Sequence, residues 1–342
     1  MSGGVGRTAV LLVNWNNGHE CVQCIDSLLG MTTDDFDIVV VDNDSSDGSV
    51  SHILTWCQHP VPPPEASRRP GVAYASGHGL PRVPVQLLQP SASLPAPAER
   101  GVRVFIVPAG QNRGFAAGNN LGMRVAGLPA YGHFWLLNTD TVVHHQALPA
   151  LLRRAAADPG IGMVGSTLLY FDTPDRVQAL GGAWLDPRRM LTAHIGLGDS
   201  AARVPGHPAA VEAQMAYVVG ASMLVSADFV RQVGPMQEDY FLYFEELDWA
   251  ERARGHYRLG YAPDSLVYHR VGGSSARPAS EMAESLLAQN RIRVLGRFFR
   301  AHRASALAYL GWVCLRHLLR GRWRVARIQW AALRKAPQLL KT

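Results

Sequence analysis

The sequence is short of cysteine, short of charge and without a long apolar run. Four cysteines in 342 residues exclude a disulfide scaffold. Cys21 and Cys24 have C-x-x-C spacing, but no second Cys or His pair stands at zinc-finger distance. Both share an apolar helical stripe with Ile25, Leu28 and Leu29, so a core role is expected. Only 18% of residues are charged against 47% hydrophobic, which excludes wholesale disorder. The first ten residues lack the apolar core of a signal peptide. The longest uncharged stretch of the tail, 304–315, falls well short of the roughly 20 residues of a membrane span. The expectation is a cytoplasmic protein held at the inner face of the plasma membrane. No G-K-[ST] follows a glycine-rich stretch, which disfavours nucleotide hydrolysis of the Walker type.

Acidic residues are missing from the end of the chain. Residues 285–342 hold 13 of the 33 Lys and Arg side chains and no Asp or Glu. The preceding residues therefore carry 20 basic against 27 acidic groups, so a body of net charge −7 is joined to a strongly basic tail. That tail interleaves its charge with Phe298, Phe299, Trp312, Trp323 and Trp330. Such a mixture favours an anionic membrane surface over nucleic acid or a plain solvated face, and no nucleic-acid partner is expected.

What is present is a run of alternating strand and helix signals. Residues 9–14 are a continuous apolar run closing on Asn14, as in a strand buried on both faces, 37–41 read as a second buried strand behind Asp37, and each is followed by a helical stripe. Residues 58–101 hold ten of the 22 prolines and no sustained periodicity, which predicts an inserted, mobile loop. Strand signals return at 102–107, 134–137 and 161–170, with helices from about 121 and over 146–157. A strand near 215–225, a helix capped by Ser226, a helix over 245–254, short strands at 258–261 and 266–268, and a helical amphipathic tail follow. This order predicts a mostly parallel, mixed α/β sheet flanked by helices, in which ligands bind at the carboxyl ends of the strands. The domain expectation is a catalytic unit over 1–280 and a basic helical tail over 281–342.

The polar motifs stand at those strand ends. Asp42 opens D-N-D-S-S-D-G, where a strand-end carboxylate can accept a pyrimidine imide N–H or a ribose hydroxyl; a plain turn, with Ser46 or Asp47 capping the next helix, is the alternative. The stretch N-R-G-F-A-A-G-N-N from Asn112 to Asn120 follows a strand and opens a helix, where amides can hold phosphate. Asn138 and Asp140 are spaced by two at the next strand end, so both side chains face one way and suit a hard divalent cation, Mg2+ or Mn2+. Five acids lie among the eleven residues 238–248, with aromatics between them. Asp239, Glu245, Glu246, Asp248 and the adjoining Trp249 form a stretch suited to sugar binding and general-base work.

The ordered series V-N-W-N, V-D-N-x-S-x-D-G-S, N-x-G-F-A-x-G-N-N, L-N-T-D, F-x-Y-x-E-E-x-D-W and H-R-x-G-G-S resembles the family 2 glycosyltransferases, above all their bacterial rhamnosyltransferase-like branch. It covers roughly residues 8–275. The resemblance implies a GT-A fold. It implies that Asn14 and Asp42 lie at the nucleobase, that Asn112, Gly114 and Asn120 lie along the ribose and diphosphate, and that Asp140 and His269 hold the metal. Asn138 stands where the family has the first acid of its D-x-D motif, so one charged ligand is lost. Glu246 matches the catalytic base, with Glu245, Asp248, Asp239 and Trp249 as acceptor-side support. The implied reaction is an inverting, metal-dependent transfer from a nucleotide-diphosphate sugar, dTDP-rhamnose first and a UDP-hexose second, to a cell-envelope glycan or lipid-linked acceptor. A sugar nucleotidyltransferase is the rival enzyme, disfavoured because Asn14 to Gly18 carry no basic residue. A non-catalytic glycan- or lipid-binding homologue is the rival outside enzymes, kept open by Asn138.

Overall fold

In the computed structural model, residues 6–80, 82–97, 100–270 and 281–341 are described. The apolar runs form the strands expected of them: β1 (Thr8–Asn14), β2 (Phe36–Asp42), β3 (Val85–Leu87), β4 (Val104–Pro108), β5 (His133–Asn138), β6 (Thr141–Val143), β7 (Ile161–Tyr170), β8 (Val177–Leu180), β9 (Gly182–Asp186), β10 (Leu191–His194), β11 (Tyr217–Val218), β12 (Ser222–Ser226) and β13 (Arg258–His269). The helices are α1 (Gly18–Leu29), α2 (Ser49–Gln58), α3 (Gly114–Ala126), α4 (Ala147–Ala157), α5 (Ala209–Glu212), α6 (Ala227–Val233), α7 (Glu245–Ala253), α8 (Glu281–Phe298), α9 (Arg303–Leu319), α10 (Trp323–Arg334) and α11 (Ala336–Leu339). The main sheet runs β3-β4-β2-β1-β5-β12-β7-β13-β6, with β8 on β7, and a small antiparallel sheet runs β10-β9-β11. From β3 to β5 every pairing is parallel; β12 enters antiparallel between β5 and β7.

Both faces of this sheet are covered. One layer packs α1, α2 and α4 on the strands, and Cys21 and Cys24 are buried in it, as the apolar stripe requires. The other layer packs α3, α6 and α7. Asp37, buried in β2, is paired with Arg7 and Arg103 and accepts from the Tyr131 hydroxyl, which holds its carboxyl below the usual range.

Three expectations are corrected. The 58–101 insertion is not a free loop: its described residues supply the edge strand β3, and Ser76 donates from its backbone N–H (2.8 Å) and hydroxyl (2.5 Å) to the buried Asp26 in α1. The strand itself holds no proline; the prolines on either side of it, Pro84 and Pro90, leave so short a run unmarked in the sequence. Helix α3 starts at Gly114, not near 121, because the glycines and asparagines of its first turns have low helix propensity yet are needed for close packing. The strands at 258–261 and 266–268 are one strand, β13, with a register shift between Ala262 and Leu266. Ser226 caps α6 as expected, its hydroxyl accepting from Phe229 N–H at 3.1 Å, whereas Gly48 rather than Ser46 or Asp47 precedes α2.

The parallel register aligns the strand ends. Asn14 lies opposite Asp42, Asp42 opposite Pro108, and Val13 opposite Asn138. Because β12 runs the other way, the residues before it return to the same edge: Asn138 N–H donates to Ala221 O at 3.1 Å. The tail helices fold back on this edge, with α8 buried against Tyr240, Phe244 and Leu247. Among the described residues no helix is long and apolar enough to cross a membrane.

Candidate active site

One half of the candidate site is a cleft of about 240 Å3 lined by Thr192 and His194 of β10, Tyr217 and Val219, Gly220, Tyr243, Phe244, Glu246 and Leu287 of α8. Glu246 reaches it because α7 starts abruptly. Phe241, Tyr243 and Phe244 all have positive φ (61°, 73° and 75°), in the region that L-residues rarely occupy. Each such residue costs about 1–3 kcal/mol and persists only where its surroundings over-determine it. The turn drives the first helical residues, Glu245 and Glu246, inward. Gly220 backs the second of them: a Cβ at 220 would stand 2.2 Å from Glu246 Oε1. Burial pushes the Glu246 carboxyl up to about 7.

Glu245 is more deeply buried, with Oε2 unpartnered, and burial followed by repulsion from Glu246 raises its carboxyl well above the ordinary range. The folded chain therefore holds this proton to a higher pH than the unfolded chain does. At acid pH both states are protonated and the site costs nothing; above the ordinary carboxyl value only the unfolded chain readily loses its proton, and stability is lost until the folded value is passed. Glu245→Gln is accordingly expected to raise the melting temperature at pH 8, with the gain shrinking toward pH 4; thermal scans across that range check it.

The other half of the site lies at the ends of β5 and β13. Arg270 N–H donates to Asp140 O at 2.9 Å, which closes the two strand ends together. His269 Nε2 lies 3.2 Å from Asp140 Oδ1 and 3.4 Å from Asn138 Nδ2. Its Nδ1 lies 2.9 Å from Gln178 Oε1, so Nδ1 carries the proton and the Nε2 lone pair faces a carboxylate oxygen. Two acceptors at that distance call for a cation or a second proton between them. Asp140 and His269 thus fit one side of a divalent ion's shell, with Nδ1 oriented as metal-binding histidines usually are. Among the described residues no group of three or more His, Cys, Asp or Glu gathers, so diphosphate oxygens and water would complete the shell. Gln178 also joins the two halves, its backbone O lying 3.2 Å from His194 Nδ1. The Gly272, Gly273 and Ser274 of H-R-x-G-G-S lie outside the described residues.

At the β1 and β2 ends, Asn14 Nδ2 donates to Asp42 Oδ1 (2.9 Å) and Ser45 Oγ (3.1 Å). Asp42 also accepts from Ser45 N–H (3.0 Å) and its hydroxyl (2.7 Å). Asn14 Oδ1 is buried without a hydrogen-bond partner. Asn112 is engaged in its own turn, Oδ1 accepting from Gly114 N–H at 2.9 Å. Gly114 has φ 87° and passes so close to the turn before α7 that a Cβ would lie 2.1 Å from Phe241 O.

Several expected site residues are not brought to the cleft. The Asn120 amide is consumed inside the protein by Met236 and Glu238, at 2.9–3.0 Å. Asp248 is fully buried and pairs with Arg252 and Arg297, both at 2.8 Å, besides accepting from the Tyr240 hydroxyl at 2.9 Å. Trp249 is core, edge-on to Phe229, with Nε1 donating to Gly234 O at 2.9 Å. Asp239 is exposed. Conversely, Gln178, His194 and Gly220 were missed. The hairpin bearing His194 had one signal, the Asp186-Pro187 turn between two short apolar stretches.

Residues 9–80 match the family model described as "Glycosyl transferase family 2". That match covers the first two strands and helices and the start of the proline-rich segment, less than half of the chain. The fold of the chain as a whole is GT-A. It is similar to the mannosyltransferase PcManGT from Pyrobaculum calidifontis in complex with GDP-Man and Mn2+, at 15% identity and TM-score 0.54 over 98% of this chain and 88% of that one. It is similar also to S. aureus TarS 1–349, at 11% identity and TM-score 0.50 over 97% and 91%. The complex of TarS 1–349 with UDP-GlcNAc gives the same identity and score over 97% and 92%. No curated protein sequence matches the chain.

Proposed function

We propose that the protein is an inverting glycosyltransferase in which Glu246 takes the proton of an acceptor hydroxyl as that oxygen attacks the anomeric carbon opposite the departing nucleoside diphosphate. The observation that carries this reading is the placement of Glu246. A carboxyl raised to about 7 faces a sugar-sized cleft one residue away from the strand edge that ends in Asn138 and Asp140. A base of that pKa is balanced between being deprotonated and being strong enough to accept the proton. Asp140 and His269 would hold Mg2+ or Mn2+, which supplies charge neutralisation at the leaving diphosphate. Asn14 and Asp42 would take the nucleobase or ribose. The similar structures carry GDP-Man with Mn2+ and UDP-GlcNAc, which supports a nucleoside-diphosphate donor here. The rhamnosyltransferase-like motifs favour dTDP-rhamnose first and a UDP-hexose next, with a cell-envelope glycan or glycolipid as acceptor. Turnover of a panel of UDP-, dTDP- and GDP-sugars with and without Mn2+ tests this; absence of transfer or donor hydrolysis from every one would remove the proposal. Gly220→Ala offers a finer check, since the new methyl group must displace the Glu246 carboxylate. Turnover is expected to fall by roughly 10²-fold with donor affinity unchanged, as a misplacement of about 1 Å can do.

The basic tail supports a second part of the reading, peripheral attachment to an anionic membrane. Trp312, Leu315 and Leu319 form one exposed stripe on α9, Trp323 and Trp330 another on α10, and Arg316, Arg320 and Arg322 lie among them. Each basic group near an anionic surface adds on the order of 1 kcal/mol. Trp323→Ser with Trp330→Ser is expected to reduce pelleting with phosphatidylglycerol vesicles while leaving the fold intact. Equal pelleting of both proteins would count against it.

A further inference from the structure

The three positive-φ aromatic residues ahead of Glu246 need something to hold them, and what holds them lies some forty residues later in the chain. Asn290, in the middle of α8, is fully buried. Its Nδ2 donates to Tyr240 O (2.8 Å), Leu242 O (2.8 Å) and Tyr243 O (3.1 Å), so two hydrogens serve three carbonyls. The amide cannot turn over, because Arg293 Nη1 donates to Asn290 Oδ1 at 2.7 Å and, from the same atom, to Asp239 O at 2.8 Å. The opposite side of the turn is fixed by Phe115 N–H donating to Phe241 O at 2.9 Å. The backbone from 239 to 243 is thereby held between α3 and α8, and the next residues are Phe244, Glu245 and Glu246.

We infer that Asn290 is the positioning residue for Glu246, gathering the carbonyls of the 240–243 turn so that α7 begins with its carboxylate in the cleft. This rests on Glu246 being the base. A donor is required at 290: an aspartate of the same shape would set its oxygens against three carbonyl oxygens. The tail is therefore part of the catalytic unit as well as its basic surface.

The test uses the full chain. Asn290→Asp is expected to lower kcat by roughly 10²-fold, the scale of a small displacement of a reacting group, with KM and Kd for the nucleotide-sugar donor unchanged. Ile292→Ala, which opens a cavity in the part of α8 that faces the other tail helices, serves as the stability control. It should lower the melting temperature and keep kcat. Should Asn290→Asp not fold, Asn290→Ser keeps one donor and carries the same comparison. Added to Glu246→Gln, the substitution at 290 should cause almost no further loss, because both act through one carboxylate. Full additivity of the two, or a kcat that follows melting temperature equally at 290 and 292, overturns the inference. Normal turnover of Glu246→Gln alone would instead remove the reading of Glu246 as base.

Discussion

Glu246→Gln is expected to cut sugar transfer by roughly 10²–10⁴, the usual worth of a general base, while donor binding stays near normal. Glutamine keeps the shape against Gly220, so the backbone behind the site has no reason to move. What disappears is the capacity to take a proton. The pH profile separates this from damage. With its carboxyl raised to about 7, Glu246 is protonated and inactive on the acid side, so kcat of the unmodified enzyme should rise with pH through about 7 and then level off. Glu245 and Glu246 repel each other when both are charged, so the limb belongs to the pair. In Glu246→Gln that limb should vanish from the residual rate. A variant with near-normal turnover, or one that keeps the acid limb, would move the base elsewhere.

Asp140→Ala is expected to remove metal-dependent affinity for nucleoside diphosphates and to lower turnover by roughly 10²-fold or more, since a cation at a leaving diphosphate is worth several kcal/mol. Asn138→Asp restores a second carboxylate beside His269 and should keep or strengthen that affinity. The check is titration of UDP, dTDP and GDP with Mn2+, with Mg2+ and with EDTA. Affinity that is the same in EDTA as in Mn2+ would show that Asp140 and His269 hold no ion needed for donor binding, and the tight approach of Nε2 to Oδ1 would then need a proton instead.

The fold was legible where burial leaves a one-dimensional trace. Strands β1 and β2 read as largely apolar runs because both faces are covered, and α1 reads as a stripe because only one of its faces is core. The strand-end acids Asp42 and Asp140 were legible for the same reason: a polar residue closing such a run has few places to go. What failed to show in the sequence was partnership at a distance. Asn120 and Asp248 look like ligand residues in a motif, yet Met236 and Glu238 satisfy the one and two arginines the other. Gly220 looks like any glycine, and only the neighbouring carboxylate explains why no larger residue fits. Asn290 sits in a stretch read as a basic amphipathic tail, because the carbonyls it serves are backbone atoms and leave no mark on residue identity. Strand β3 was lost because prolines stand on either side of so short a run.

The position of Asn290 sets an order of events during synthesis. The sheet, the strand-end acids and Glu246 itself all leave the ribosome before α8 does. At about 5–20 residues per second, the 44 residues from Glu246 to Asn290 take roughly 2–9 s to follow. Until they arrive, the Tyr240, Leu242 and Tyr243 carbonyls lack the Asn290 amide that gathers them. On the reading of Glu246 as the base, a nascent chain would complete its sheet before that carboxylate is in place, and transfer would begin only once α8 has been made.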